Sequence, residues 1–386
     1  MKIDFIEIEE IVIENGRSQL SDSLKALLYE YDKKIFDDFC FDTLYIEPEL
    51  FFYFFRNDGG LSKQYLLNNY ENWEKPLTLQ THNDFFGTCH IPNFGIIRNN
   101  TNKQLVFKNG LFFNEHGKNI KLQPEVKISN SNISICQHVP NILKNYLENV
   151  PFDSVKTSIQ KSIPNIERAW ENICKFSPDF GKCINETTRE ISISNFPEMP
   201  SFASLNYFGT TFININGQNP TDIFFMDDIA HQSGHTIFYL CTLNPDTFFK
   251  YPFNSPLKDF TGVSYETREI YGCLHSMFTL CTIIHTLNNY LSKGEFENNT
   301  RNELLGRISF YLHKLLYDVN NLSNCDIFTN DGLEYYEMFR KNSIYYSNLY
   351  DGLFKKFIFN KQNYYFNMEI FKQENKQLIN EKNLLI

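Results

Sequence analysis

The chain has no CxxC pair, only two tryptophans and no excess of basic charge, and the first and last of these each remove a class of function. Its nine cysteines are scattered, so a paired-thiol redox motif and a cysteine-rich zinc ribbon are both missing. Odd in number and without a secretory start, they are expected to stay reduced in a cytoplasm. Lys and Arg number 36 against 46 Asp and Glu, for a formal charge of −10 and a pI near 5.5. Such a balance provides no footprint for a phosphate backbone, so no nucleic-acid partner is expected. No apolar run reaches the length of a bilayer span, so no membrane partner is expected either. The start, Met1–Glu10, alternates apolar and acidic residues and does not read as a signal peptide.

What is present is ample apolar material: 42% of 386 residues are hydrophobic and 16% aromatic, enough to bury a core. The 38 Phe and 22 Tyr, with abundant Asn, Ile and Lys, have the look of AT-rich codon bias rather than of a special aromatic site. Patterning predicts a strand over 3–13, then a helix over Ser18–Phe36. The run Phe51–Phe55 reads as buried core beside a turn at Asp58–Gly60. From 80 to 136, alternating segments such as Gln104–Gly110 and Ser131–Ile135 predict short strands and hairpins. From 138 to 177 the period is helical, cut by Pro140, Pro151 and Pro164. Strands are expected at Ile191–Ser194 and Gly209–Ile215. Helices are expected at Thr221–Thr242, Tyr265–Leu291, Arg301–Leu322 and Leu333–Lys356. The expected class is α+β, mainly α-helical. An N-terminal α/β region, 1–140, would serve substrate recognition or dimerisation. A mainly helical, metal-binding region would cover 141–386.

The chemistry concentrates in His231-Gln-Ser-Gly-His235. Residues i and i+4 of a helix lie about 40° apart in azimuth and about 6 Å apart along the axis, so one ion can bridge His231 and His235. Gly234, costly inside a helix, implies close approach of something bulky. Asp227 and Asp228, one turn earlier, are placed to orient a ligating imidazole. On the next predicted helix His275 follows Arg268 by two turns, which puts both near one stripe. Three ligands with an arginine nearby suit a metal-bound dicarboxylate. In an HExxH peptidase the glutamate takes a proton from metal-bound water. Gln232 stands in its place, and a neutral amide cannot do so. Three ligands on one face leave open positions that suit non-haem iron(II), a bidentate co-substrate and O₂.

From Ile163 to Phe278 the chain resembles the HExxH-type 2-oxoglutarate-dependent peptide β-hydroxylases, also described as modification proteins of ribosomally made peptides. The resemblance rests on an ordered series. It runs through Ile166–Trp170, Ser201–Leu205 with Gly209–Asn214, and His231–His235. It continues through Ser255-Pro-Leu-Lys-Asp259, similar to a Ser-Pro-Trp-Arg-Asp turn, and Arg268–His275, similar to Arg-Pro-x-x-Gly-x-Leu-His. The resemblance implies Fe(II) and 2-oxoglutarate as cofactors, O₂ as co-substrate and a peptide or protein as substrate. It implies that His231, His235 and His275 hold the iron and that Arg268 clamps the distal carboxylate. Ser255 and Lys258 of the Ser-Pro turn would add to co-substrate binding, although Lys258 replaces an arginine and lacks its fork. The site is expected between two helices of the C-terminal half, not in a double-stranded β-helix, and a homodimer is compatible with the N-terminal region.

Two other readings stay open: a zinc metallohydrolase relative, against which Gln232 argues, and an inactive peptide-binding scaffold. Glu266 or Glu269 is an alternative to His275 as third ligand. His285 lies off the ligand stripe and reads as an ordinary packed histidine. His82, Cys89-His90 and Cys136-x-His138 lack metal spacing and read as loop or core residues, as does His313. Cys273 and Cys281 read as small core hydrophobes.

Overall fold

The computed structural model describes residues 5–56, 63–147, 151–350 and 354–380. Helix accounts for 54% and strand for 12%, in small open sheets, so the fold is α+β and mainly helical, with no β-helix or jelly-roll barrel. Helices α1 (Phe5–Tyr31) and α2 (Pro48–Arg56) come first. Strands β1 (Leu77–Gln80), β2 (Cys89–Ile91), β3 (Gly95–Ile97), β4 (Gln104–Lys108) and β5 (Leu111–Asn114) follow. Next are β6 (Asn119–Ile120), β7 (Val126–Lys127) and β8 (Ser134–Ile135). Helices α3 (Phe152–Phe176) and α4 (Pro178–Thr187) precede β9 (Glu190–Ser194) and β10 (Thr210–Asn214). The rest is helical: α5 (Asp222–Cys241), the short α6 (Lys258–Thr261), α7 (Ile270–Lys293), α8 (Asn298–Leu322) and α9 (Asn330–Leu349).

The chain divides into two compact units. One is built from Glu9–Glu167 and Cys183–Asn216, the other mainly from Arg168–Lys182 and Gly217 onward. The sequence places the main boundary near 140–195, and the chain passes between the units at 167/168, 182/183 and 216/217. The first unit carries the strands. An antiparallel sheet, β1-β4-β5-β6, is pinned by pairs such as Leu79↔Leu105 and Phe107↔Phe112. It packs on Leu24, Leu28, Phe39 and Leu66. In the second sheet, β10-β9-β8-β7, strand β9 runs parallel to both neighbours. All five of its residues are buried, the usual state of a central parallel strand.

Three expectations for this unit are corrected. Residues 5–13 of the strand expected at 3–13 are the start of α1, because Ile13, Leu24 and Leu28 bury one stripe of a 27-residue helix and tertiary packing overrides the local alternation; residues 3 and 4 lie outside the described residues. The run Phe51–Phe55 winds round helix α2 rather than forming a wholly buried stretch, with Tyr53 buried and Phe55 exposed; the turn at Asp58–Gly60 lies outside the described residues. Pro164 sits inside α3 and does not end it.

In the second unit α5, α7, α8 and α9 pack on one another in sequence order. Thr221 caps α5, its hydroxyl accepting from the Phe224 N–H at 3.1 Å. Nearly every residue of α5 is buried, as in a helix enclosed on all sides. Helix α7 starts at Ile270, so Arg268 precedes it rather than sharing its stripe with His275. Among the described residues α7 is the one helix long and apolar enough to cross a membrane, a length the sequence reading did not allow; most of it is buried, as in a core helix.

Gly234 explains how closely α5 meets α7. A Cβ there would lie 2.8 Å from Thr282 Oγ1 and 3.4 Å from Thr279 Cγ2. The Thr282 hydroxyl is held by the Ala230 and Thr279 carbonyls at 3.0 and 2.7 Å, so it cannot swing away freely. The bulky neighbour inferred from Gly234 is therefore α7 itself. Gly234→Ala is expected to destabilise the fold by about 1–3 kcal/mol despite alanine's better helix propensity. Urea unfolding tests this, and a stabilised variant would show that the helices have room to part.

Candidate metal centre between two helices

The contact at Gly234 brings the histidines of α5 and α7 together. The ring centroids of His231 and His235 are 5.0 Å apart, and those of His235 and His275 4.6 Å. His275 also lies against Phe238, Tyr239 and Tyr271, with centroids 4.9, 4.7 and 5.4 Å away. Burial, reinforced by neighbouring imidazoles, drives His231 and His275 well below the usual histidine range. Burial brings His235 down to about 4. All three are therefore neutral at pH 7, the state a metal ligand requires. His231 Nδ1 and His275 Nε2 are buried without a hydrogen-bond partner. The ring nitrogens of the three do not all come within 4.8 Å of one another, and among the described residues only a different trio does so.

A cavity of about 360 Å³ opens beside His231. That volume suits a small organic ligand. Arg268, Tyr311, Lys314, Asp318 and Tyr365 share its wall. Arg268 is not available there as the sequence suggested. Its Nε and one terminal nitrogen donate to Glu266 at 2.9 and 2.7 Å, and both terminal nitrogens donate to Asp318 at 2.9 and 2.7 Å. Hydrogen bonds from Arg268 hold the Glu266 carboxyl at about 2. The guanidinium thus pins the approach to α7 onto α8, with its charge already met by two carboxylates.

Lys314 is the other cation of the wall. Among the described residues it forms no ion pair within 4 Å, donating instead to the Tyr364 carbonyl and lying over the Phe310 and Tyr364 rings at 4.6 and 4.1 Å. Burial, opposed by Asp318, lowers its ammonium to about 8. No signal in the sequence marked this residue. Its role follows from the cavity that α8 shares with α5.

The remaining sequence candidates fall as follows. Ser255 and Lys258 do not line the cavity. The Ser255 carbonyl accepts from Ile270 N–H at 3.0 Å, and Lys258 is exposed on α6. Glu266 is taken by Arg268, and Glu269 is exposed at the N-cap of α7. Asp227 is turned to Arg307 at 2.6 Å and to the Tyr311 hydroxyl at 2.8 Å, a buried ion pair rather than a support for an imidazole. Asp228 is buried. His285 contacts Asn289 at 3.0 Å and stays apart from the trio. Cys273 and Cys281 are buried free thiols.

His90 and His138, set aside as core residues, are buried but not isolated. Their rings stack at 4.1 Å, next to Glu190. Burial lowers His138 to about 4 and raises Glu190 to about 8. The three residues are too far apart in sequence for spacing to reveal them.

No protein-family model matches the chain, and no curated protein matches it.

Gln232 is fully buried, and both polar atoms of its amide lack a partner. A buried amide left unpaired costs about 1–3 kcal/mol. Gln232→Met, similar in shape, is expected to raise the stability of the metal-free protein by about 1 kcal/mol or more. Equilibrium unfolding measures it, and a comparable loss would mean that the amide is engaged by a partner of its own.

Proposed function

We propose that this chain is an iron(II)- and 2-oxoglutarate-dependent oxygenase that hydroxylates an sp³ carbon, the β-carbon of a residue in a peptide or protein. The observation that carries the reading is a row of three neutral imidazoles, with His235 adjoining both His231 and His275, whose His231 end lines a cation-bearing cavity. The ordered resemblance over Ile163–Phe278 supports it. His231, His235 and His275 would hold the metal, for which the unpartnered nitrogens of His231 and His275 fit. Bringing all three nitrogens onto one ion requires the rings to turn. When bound, iron and 2-oxoglutarate supply the oxidising chemistry, and the protein provides position and a dry, charged pocket.

Within that reading Lys314 is the residue that receives the distal carboxylate of 2-oxoglutarate, in place of Arg268. Arg268 is held by Glu266 and Asp318, which leaves the Lys314 ammonium as the cation on the wall placed to meet an incoming anion. The aromatic faces of Phe238, Tyr239 and Tyr271 exclude water from His275. Gln232 supports an oxygenase over a zinc hydrolase, because this position offers no general base.

Purified protein given Fe(II), 2-oxoglutarate and air is expected to release succinate, and His235→Ala to abolish that release. No succinate from the native chain under any peptide substrate tried, with no iron retained, would end the reading.

The sign of the pH dependence follows from Lys314. Its folded-state value lies below that of a free lysine, so its charge, and the affinity for a dicarboxylate, is lost as pH rises through about 8. Lys314→Met should weaken 2-oxoglutarate binding about 10- to 100-fold at pH 7, the worth of a charged hydrogen bond. It should also flatten the decline above pH 8. Calorimetric titration at pH 7 and 9 checks both, and native-like affinity in the variant would return the clamp to Arg268.

A further inference from the structure

The strand-bearing unit contains a second cluster of metal-ligating side chains. Glu190 opens β9, where its backbone is paired on both sides, to Thr210 of β10 and to Ser134 of β8. Just past β8 the Cys136 N–H bonds to the Ile191 carbonyl at 2.9 Å, which carries the chain along β9 and delivers His138 beside Glu190. His90 stands on the hairpin strand β2. The two imidazoles stack at 4.1 Å with 20° between planes. One ligand atom from each of His90, His138 and Glu190 lies within 4.8 Å of the other two, and all three residues are buried.

The surroundings are rich in negative charge. Glu125 contacts His90 Nε2 at 3.0 Å and also accepts from the Asn93 N–H and the Ser134 hydroxyl. Glu49 lies 3.7 Å from His138 Nε2 and accepts from the Tyr207 hydroxyl. Glu47 is buried as well. A polar core held by hydrogen bonds alone would satisfy each of these groups. Glu125 and Glu49 are satisfied in that way. His90 is not: its Nδ1 is buried without a hydrogen-bond partner among the described residues, while the Glu190 carboxyl, 8% exposed, lies 3.7 Å from His90 Nε2. A ring nitrogen buried without a partner is costly, and a cation held between it and the neighbouring carboxyl satisfies it.

We infer that His90, His138 and Glu190 form a divalent transition-metal site in the first compact unit, separate from the three-histidine centre and independent of how that centre is read. Two imidazoles and one carboxylate suit zinc, iron(II) or manganese. Four ligands close a structural zinc site, whereas three leave a position for water or substrate. His138 lines a cavity of about 380 Å³, together with Thr88, Arg98, Gln137 and Lys156, and Glu49 lines another of about 180 Å³. The cluster therefore has routes by which a small ligand reaches an open coordination position. Glu125, hydrogen-bonded to His90 Nε2, would orient that ring from the outside, and Glu49 lies 3.7 Å from His138 Nε2.

Cobalt(II) is the probe, titrated into chelator-stripped full-length protein that carries His231→Ala and His235→Ala, so that the helical centre contributes nothing. One equivalent is expected to bind with visible d–d absorption, and bound ion should raise the melting temperature. Adding Glu190→Gln, nearly isosteric, or His138→Ala should weaken binding more than the roughly 10- to 100-fold that loss of an outer-shell partner costs. Circular dichroism confirms that each variant is folded. The inference is overturned if the folded double variant takes up no cobalt, or if Glu190→Gln and His138→Ala leave its affinity unchanged. Succinate release by the otherwise native chain is read separately, so either site can fail without the other.

Discussion

The closeness of α5 and α7 at Gly234 is the constraint on which the helical centre depends. A single hydrogen in place of a methyl group lets Thr282 reach the Ala230 carbonyl across the interface. With the axes that near, His275 of one helix lies beside His235 of the other. Both helices are enclosed in apolar side chains, so the imidazoles lose their water and with it their protons. Neutrality of the ligands is thus a consequence of packing and needs no special electrostatic device.

Around the cavity, charge is arranged in two buried networks, with the Lys314 ammonium beside them. Arg307 is held by Asp227 and Glu303, and Arg268 by Glu266 and Asp318. Buried pairs of this kind add little net stability, because desolvation offsets the attraction, but breaking one leaves a costly lone charge. They therefore fix where α5, α7 and α8 meet. Lys314 lies on the same cavity wall as Arg268 and Asp318 and is acted on by both.

Much of the helical half was legible because its signals are local. Pro220 and Thr221 mark the start of α5 to within one residue, and the HxxxH spacing needs only helical geometry to place two rings on one face. What sequence did not reveal is set by partners remote along the chain. Arg268 was found near the cavity, yet its engagement depends on Asp318, fifty residues away. The alternation at the N-terminus suggested a strand because a local pattern cannot register the stripe that α1 buries further on. His138 and Glu190 come from the neighbouring parallel strands β8 and β9 and their continuations, and His90 from the separate β2-β3 hairpin, a meeting that leaves no trace in residue spacing.

The account of the helical centre is tested most directly by anomalous diffraction at the iron edge from crystals loaded with Fe(II) in the absence of oxygen. It predicts a peak within bonding distance of His231, His235 and His275. A map with no anomalous density among those three rings would contradict it.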